Sequence, residues 1–214
     1  MFNTEKTVSI ACSLLEKSKD KPMHIIKLMK LLYICDRECL KSHAHLISGD
    51  KFVSMDHGPV LSNTYSLMNG SKEPSIQGLW DNSIQRTDQY YFITKQKNSS
   101  ELDEYIELII DGVLANFDTM NEWEIEKYTH ENFEEWVDPR GSSKPIEYAD
   151  VFSALGYGEK ESDMLAEQIF NQEELTIDLN LSRMESAIYS PSVTIPNDLN
   201  DNELDSFIVG FANS

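Results

Sequence analysis

The sequence predicts a mainly helical α+β domain with a small antiparallel β-sheet. Apolar residues recur at the i, i+3, i+4, i+7 spacing of a single helix face in three segments, 4–18, 22–42 and 101–117. Two short segments, 52–56 and 90–94, instead alternate in polarity or are rich in β-branched and aromatic residues, which is typical of strands. We expect these two strands to form a small sheet that packs against the helices.

The N-terminal half is dominated by one wide apolar stripe. A first helix is predicted over 4–18, with Thr4 as its N-cap. A second is predicted over 22–42, because proline is tolerated in a first helical turn. Its apolar stripe is wide enough to indicate a central helix with neighbours on two sides. The stripe comprises Ile25, Leu28, Leu32, Cys35 and Cys39, and it is widened by Ile26, Met29 and Tyr33.

Gly58 and Pro59 mark the point where the predicted first strand ends and the backbone conformation changes. The residue before a proline is kept out of the helical region, so we expect the next helix to begin after Pro59. Asn69 and Gly70 then provide its stop signal.

The C-terminal half continues with loops and helices. Segment 71–89 is polar and loop-like, and Ser100 can cap the helix over 101–117. We expect further helices, and their ranges are 121–129, 145–155 (opened by Pro145) and 161–174. After residue 181 the periodicity fades, which indicates an appended acidic tail.

The negative charge is concentrated in the second half of the chain. The formal net charge is −19. Residues 1–60 hold nine Lys and Arg against seven Asp and Glu, whereas residues 98–214 hold five against 27. Such a field repels phosphate backbones and attracts basic proteins, so direct binding of nucleic acid is not expected. A basic protein partner would be steered towards the second half.

Cysteine usage and hydropathy predict a reduced, cytoplasmic protein without a membrane span. The three cysteines form no C-x-x-C pair, and no apolar run of about 18 residues occurs. Cys35, Cys39 and His43 are spaced i, i+4, i+8 along one predicted helix face, which a metal site would need. The alternative is that both thiols are small buried hydrophobes, and we predict neither metal nor cofactor.

Motifs for phosphate cradles, zinc-protease helices and serine-hydrolase elbows do not occur, so we predict no enzymatic activity. His57, beside Gly58 and Pro59, is either presented to a partner on a rigid corner or hydrogen-bonded within a turn. An acid–base site built from His57 and carboxylates remains a third hypothesis for function. Tryptophans are expected to act as core or interface anchors, with Trp136 as the exposed one.

Residues 24–70 carry a specific pattern. The run HIIKLMKLLYICDRECL is followed by ISGDKFVSMDHGPVLSNTYSLMNG, and weaker pieces follow as EIEKYTHENFEEW and KPIEYADVFSALG. This order of motifs resembles the Panacea domain, the family of SocA-like antitoxins also described as GepA-like phage-associated proteins. The resemblance covers about residues 4–157, and its first part rests on Lys27, Leu28, Lys30, Leu31, Leu32, Tyr33, Asp36, Gly49, Asp50, Phe52, Gly58, Pro59, Val60, Tyr65 and Met68.

The resemblance implies a non-catalytic antitoxin of a type II toxin–antitoxin system. Members of the family neutralise a cognate toxin by direct protein contact, and at least one delivers its toxin to a Clp-type protease. The alternative is a phage-associated adaptor or regulator that binds a host protein or protease without a paired toxin. We expect 1–157 to be the Panacea-like domain, 158–181 a helical extension and 182–214 the acidic tail, available to bind a partner.

Two groups of residues are predicted to contact the partner. On the shared domain they are Lys27, Tyr33, Asp36, His57 and Trp136. In the tail they are the apolar side chains Leu204, Phe207, Ile208 and Phe211. For Lys27, Tyr33 and Asp36 the alternative is a hydrogen-bonded network that stabilises the fold.

Overall fold

The computed structural model describes residues 2–95 and 102–188. In these ranges the chain forms eight helices and six strands, which are, in order, α1 (Thr4–Lys17), β1 (Met23–His24), α2 (Ile25–His43), β2 (Phe52–Met55), β3 (Gly58–Leu61), α3 (Ser62–Met68), α4 (Pro74–Ser83), β4 (Ile84–Arg86), β5 (Tyr91–Thr94), α5 (Glu104–Phe117), α6 (Glu122–Asn132), β6 (Lys144–Pro145), α7 (Tyr148–Ala154) and α8 (Glu159–Ile188).

Helix α2 is the centre of the fold. Nearly every residue from Ile26 to Leu40 is buried, because α1, α3, α5, α6 and α7 all pack on it, together with β1 and β3. The wide apolar stripe predicted a central helix with neighbours on two sides, and the structure surrounds it more completely. Polar residues of α2 are therefore also buried, and each requires a partner inside the protein.

The strands form two separate antiparallel sheets of three strands each. Their orders are β1-β5-β4 and β3-β2-β6. The predicted α+β class, mainly α with a small antiparallel sheet, is confirmed. The predicted strand pair is not formed, because β2 pairs with β3 and β6, whereas β5 pairs with β1 and β4. Pairing depends on which segments meet in space, and strand propensity carries no such information.

Pro59 and Pro145 lie in strands, whereas the sequence predicted a helix directly after Pro59 and another opened by Pro145. The fixed φ of proline fits an extended chain as well as a first helical turn. Both prolines lie in edge strands, β3 and β6, on either side of β2. An edge strand tolerates the missing N–H, because one of its sides has no strand to pair with. The helices α3 and α7 begin only afterwards, at Ser62 and Tyr148.

Local side-chain caps mark the start of several helices, among them α1 and α6. Asn3, one residue before the predicted Thr4, accepts a hydrogen bond from the N–H of Lys6 at 2.9 Å and caps α1. Asn121 and Glu124 form a reciprocal capping box at the start of α6. Helix α5 begins after Asp103, and the predicted cap Ser100 lies outside the described residues.

Segment 71–89, predicted as a loop, contains helix α4 and strand β4. The sequence of α4, PSIQGLWDNS, holds six weak helix formers (Pro, Gly, Asp, Asn and two Ser) and buries only Trp80. A single buried anchor leaves no periodic stripe to detect. Tertiary packing of Trp80 against Phe92, with ring centroids 6.0 Å apart, holds this helix in place.

Helix α3 is capped from a distance. Its N-cap position is Leu61, whose side chain cannot accept a hydrogen bond. The buried carboxylate of Asp50 takes that role, accepting from the backbone N–H of Asn63 at 2.9 Å and of Thr64 at 2.8 Å, and from the Thr64 hydroxyl at 2.8 Å. A carboxylate at a helix N-terminus also interacts favourably with the helix dipole.

The chain divides into a compact unit of residues 2–169 and a second unit that begins at Phe170. Helix α8 extends beyond the predicted range of 161–174 at both ends. Residues 189–214, which include the predicted contacts Leu204, Phe207, Ile208 and Phe211, lie outside the described residues. The division into domains at 157 and 181 stays a prediction. Within the described ranges, no helix combines the length and apolarity that crossing a bilayer requires.

Replacing Asp50 by Ala is expected to lower the free energy of unfolding by about 2–4 kcal/mol, since it leaves buried donors of Asn63 and Thr64 without an acceptor. The matched control is Asp138→Ala, which removes an exposed carboxylate that accepts from the N–H of Arg140 at 2.8 Å. For this control we expect the free energy of unfolding to fall by at most about 1 kcal/mol. Urea unfolding measures both, and similar losses would contradict capping by Asp50.

Candidate functional site

Lys27 joins α2 to the end of α5. Its side chain is 1% exposed, and its Nζ donates to the backbone oxygen of Asp118 at 2.8 Å and to Asp20 Oδ2 at 3.1 Å. Asp118 is the C-cap of α5, whose last turn LANF contains no basic residue. A cation at a helix C-terminus stabilises it, so α2 supplies the charge that α5 lacks.

Tyr33 and Arg37 share one acceptor, the buried carboxylate of Glu135. The Tyr33 hydroxyl donates to Oε1 at 3.0 Å, and Arg37 donates through Nε at 2.7 Å and Nη2 at 3.3 Å. The guanidinium also lies 4.1 Å from the ring centroid of Phe133. Burial, followed by the Glu135 charge, raises the pKa of Tyr33 well above its usual value, so its hydroxyl keeps its proton and donates.

Asp36 fixes the chain that leads into β2. Its carboxylate accepts from the N–H groups of Ile47 at 2.8 Å and Ser48 at 3.0 Å, and from the Ser48 hydroxyl. Burial raises the pKa of Asp36 to about 6, against the lowering by these three donors. Asp36 thus stabilises the turn that places Asp50.

Lys30 supports the hairpin between β2 and β3 from below. Its fully buried Nζ donates to the backbone oxygen of Pro59 at 2.8 Å. Gly58, with φ +92°, is packed so closely that an added Cβ would lie 2.8 Å from Lys30 Nζ and 2.9 Å from Thr129 Oγ1. Burial lowers the pKa of Lys30 to about 7, and the nearby Glu126 carboxylate opposes that shift.

The outer side of the hairpin carries a pair that solvent can reach. His57 Nδ1 lies 2.9 Å from Glu126 Oε1, and the His57 side chain is 62% exposed. His130 follows one turn after Glu126 and stacks on Trp136, with ring centroids 4.1 Å apart. Glu126 Oε2 and His130 Nε2 are buried without a hydrogen-bond partner among the described residues. The His57 ring of this pair is open to solvent, whereas the Lys30 side chain is fully buried.

The structure separates the predicted contact residues of the domain into two groups. Lys27, Tyr33 and Asp36 are at most 1% exposed and bond to their own protein, which favours the network that stabilises the fold. His57 is exposed at the hairpin turn. Trp136 is only partly exposed, because its ring packs on His130 and its Nε1 donates to the Met55 carbonyl at 3.0 Å. Of these five residues, His57 is the one that lies largely in solvent.

The cysteines are free and buried, as expected of small hydrophobic side chains. Burial raises the pKa of Cys39 to about 12, so its thiol stays protonated at neutral pH. Across residues 2–95 and 102–188, no group of three or more His, Cys, Asp and Glu side chains is arranged to hold a metal ion.

The sequence matches the model of one protein family. Residues 28–137 match the model of the antitoxin SocA-like, Panacea domain, and this range is more than half of the chain. The chain belongs to this antitoxin family. Searches of curated proteins and of solved structures gave no match. The matched range of the Panacea domain begins in α2 and ends two residues after Glu135, so it includes both sides of the Tyr33–Arg37–Glu135 cluster.

The Panacea domain also exposes features that the sequence did not reveal. An open groove of about 550 Å³ lies between α2, α5 and α6, with Leu108 and Phe117 on its apolar side and Glu38 and Lys41 on its polar side. Trp123 is 58% exposed, more than any other tryptophan of the chain. The sequence holds one indication of this exposure. Trp123 lies two residues before Ile125, which is buried, and residues two apart in a helix lie on different faces.

Arg37→Met is expected to reduce the free energy of unfolding by about 3–5 kcal/mol, because it leaves the Glu135 carboxylate buried without its cation. Tyr33→Phe removes one hydrogen bond from the same acceptor and should cost about 1–3 kcal/mol. Chemical denaturation of both variants tests this order. A larger loss for Tyr33→Phe would show that Arg37 is not the main counter-charge of Glu135.

Gly58→Ala should destabilise the domain by about 3 kcal/mol or more, since it combines a positive φ with contacts under 3 Å. Gly70→Ala is the matched control, because Gly70 has φ +68° but no atom within 4 Å of an added Cβ. The control measures the effect of backbone strain alone, which we expect to lower the free energy of unfolding by about 1–2 kcal/mol. Thermal unfolding compares them, and equal shifts would contradict close packing around Gly58.

Proposed function

We propose that this chain is the antitoxin of a type II pair, and that it neutralises a cognate toxin by binding it directly rather than by catalysing a reaction. Membership of an antitoxin family supports this proposal. The main observation in its support is that the motif of α2 stabilises the domain from inside. Its Lys27, Lys30, Tyr33 and Asp36 side chains are buried and bonded within the domain, so they are unavailable to a substrate. The outer surface is left for protein contact.

The charge of the surface supports a basic partner. Acidic side chains are exposed along α5 and α6, among them Glu104, Asp111, Glu124 and Glu131. Toxins that act on RNA or nucleotides often have basic grooves, and complementary charge accelerates association with such a groove. Apolar and aromatic contacts would then set the lifetime of the complex.

Neutralisation can follow binding by two routes. The chain can cover the toxin's working surface, or it can carry the toxin to a Clp-type protease. In both routes the tail side chains Leu204, Phe207, Ile208 and Phe211 offer an apolar segment for docking. Binding to a host protein without a paired toxin is the alternative function.

Co-expression with the product of the adjacent gene tests the proposal. We expect the neighbour alone to arrest growth, and the full chain to restore it and to copurify with the neighbour. Repeating the assay in a host without the Clp protease separates the routes, because occlusion persists there and delivery fails. A neighbour that is harmless alone would remove the basis for the antitoxin role and favour the adaptor.

A further inference from the structure

Four aromatic side chains meet where α2 begins. His24 is the N-cap of α2, and its Nδ1 accepts from the N–H of Ile26 at 3.3 Å. Around its ring lie Tyr90, stacked at a centroid distance of 5.8 Å, Tyr91, edge-on at 5.1 Å, and Trp123, tilted at 6.3 Å. We call these four residues the aromatic patch. They come from three segments that are far apart in sequence.

The outer two rings of the patch are unusually open. Trp123 is 58% exposed and Tyr90 is 51% exposed, whereas His24 beneath them is 8% exposed. Exposing large aromatic surface to water is unfavourable, and clustered exposed aromatics mark interaction sites more often than single ones do. Trp and Tyr are also the residues most enriched among binding hot spots.

At Tyr90 and Trp123, the hydrogen bonds that join these residues to the fold are made by the backbone. The Tyr90 carbonyl accepts from the N–H of Ile25 at 2.7 Å, and the Trp123 N–H donates to Asn121 Oδ1 at 2.9 Å. Both bonds are independent of the side chain. Replacing either aromatic ring therefore leaves the helix caps of α2 and α6 in place.

The charges beside the patch are mostly negative. Asp88 accepts from the Tyr90 N–H at 2.8 Å, and Glu122 and Glu124 flank Trp123 in the first turn of α6. The basic residue on the next turn, Lys127, lies 3.7 Å from Glu131. An aromatic face with a carboxylate rim attracts a planar cation, since guanidinium stacks on rings and its edge donates to carboxylates.

We propose that the aromatic patch is the docking point for an arginine side chain of a basic protein partner, with the guanidinium over Trp123 and beside Tyr90. This inference rests on the proposed function, for which the toxin is that partner. The acidic surface brings the partner close, and the patch then selects arginine over lysine. Lysine has a compact ammonium without a plane to stack, so it gains less from the same surface.

Fluorescently labelled decapeptides of arginine and of lysine provide the probe, titrated into the full chain at physiological salt and followed by anisotropy. We expect the arginine peptide to bind about two- to fivefold more tightly than the lysine peptide. Trp123→Ala should remove that preference while keeping the charge-driven binding of both. Trp123→Phe, which retains a ring, should restore part of it. Tyr90→Ala provides a second variant should Trp123→Ala unfold.

Leu108→Ala is the matched control, because it removes a 65% exposed apolar side chain that lines the groove between α2 and α5. It should leave the arginine preference unchanged. A wild-type chain without the preference, a preference that survives both Trp123→Ala and Tyr90→Ala, or an equal loss in Leu108→Ala would overturn the proposal. Loss of self-association in Trp123→Ala, measured by sedimentation, would assign the patch to a second copy instead and overturn it too.

The growth assay separates this inference from the function on which it rests. Where the wild-type chain restores growth, Trp123→Ala should weaken the toxin complex about tenfold or more. Rescue by wild type with an unchanged affinity in Trp123→Ala refutes the patch alone. Failure of rescue by wild type refutes the proposed function, and the peptide titration then still decides whether the patch binds arginine.

Discussion

The near-complete burial of α2 from Ile26 to Leu40 is the constraint on which the rest of the structure depends. Over most of this length, the five helices packed on α2 leave a charged side chain no access to water. Yet α2 carries Lys27, Lys30, Asp36 and Arg37. An unpaired charge in such a position costs several kcal/mol, so each must find an oppositely charged or polar partner within the protein.

Those partners come from different parts of the chain, which is how one helix organises the whole domain. Lys27 holds the end of α5, Lys30 the β2–β3 hairpin, Asp36 the turn before β2, and Arg37 the segment after α6. Each bond fixes the position of one segment relative to the same axis. The buried polar residues of α2 are thereby explained as architecture.

The sequence predicted what depends on local periodicity and left out what depends on distant contacts. Long helices were found because their stripes are regular, whereas α4 was missed because one buried residue, Trp80, anchors it. Pro145 was misassigned because a fixed φ fits both a helix start and an edge strand. The helix predicted directly after Pro59 begins only at Ser62, because β3 continues to Leu61. The polar pattern of α2 was recognised, but only burial shows that Tyr33 and Asp36 face inward. Only tertiary structure places Tyr90 and Trp123 next to the same ring, that of His24.

The distance along the chain between Arg37 and Glu135 has a consequence for synthesis on the ribosome. The two residues are 98 positions apart, so α2 emerges long before its counter-charge exists. At roughly 5–20 residues per second, that interval lasts about 5–20 s. During that time the nascent chain cannot bury α2 without stranding a guanidinium in its core. The domain can therefore bury α2 with its charges paired only after translation has passed Glu135.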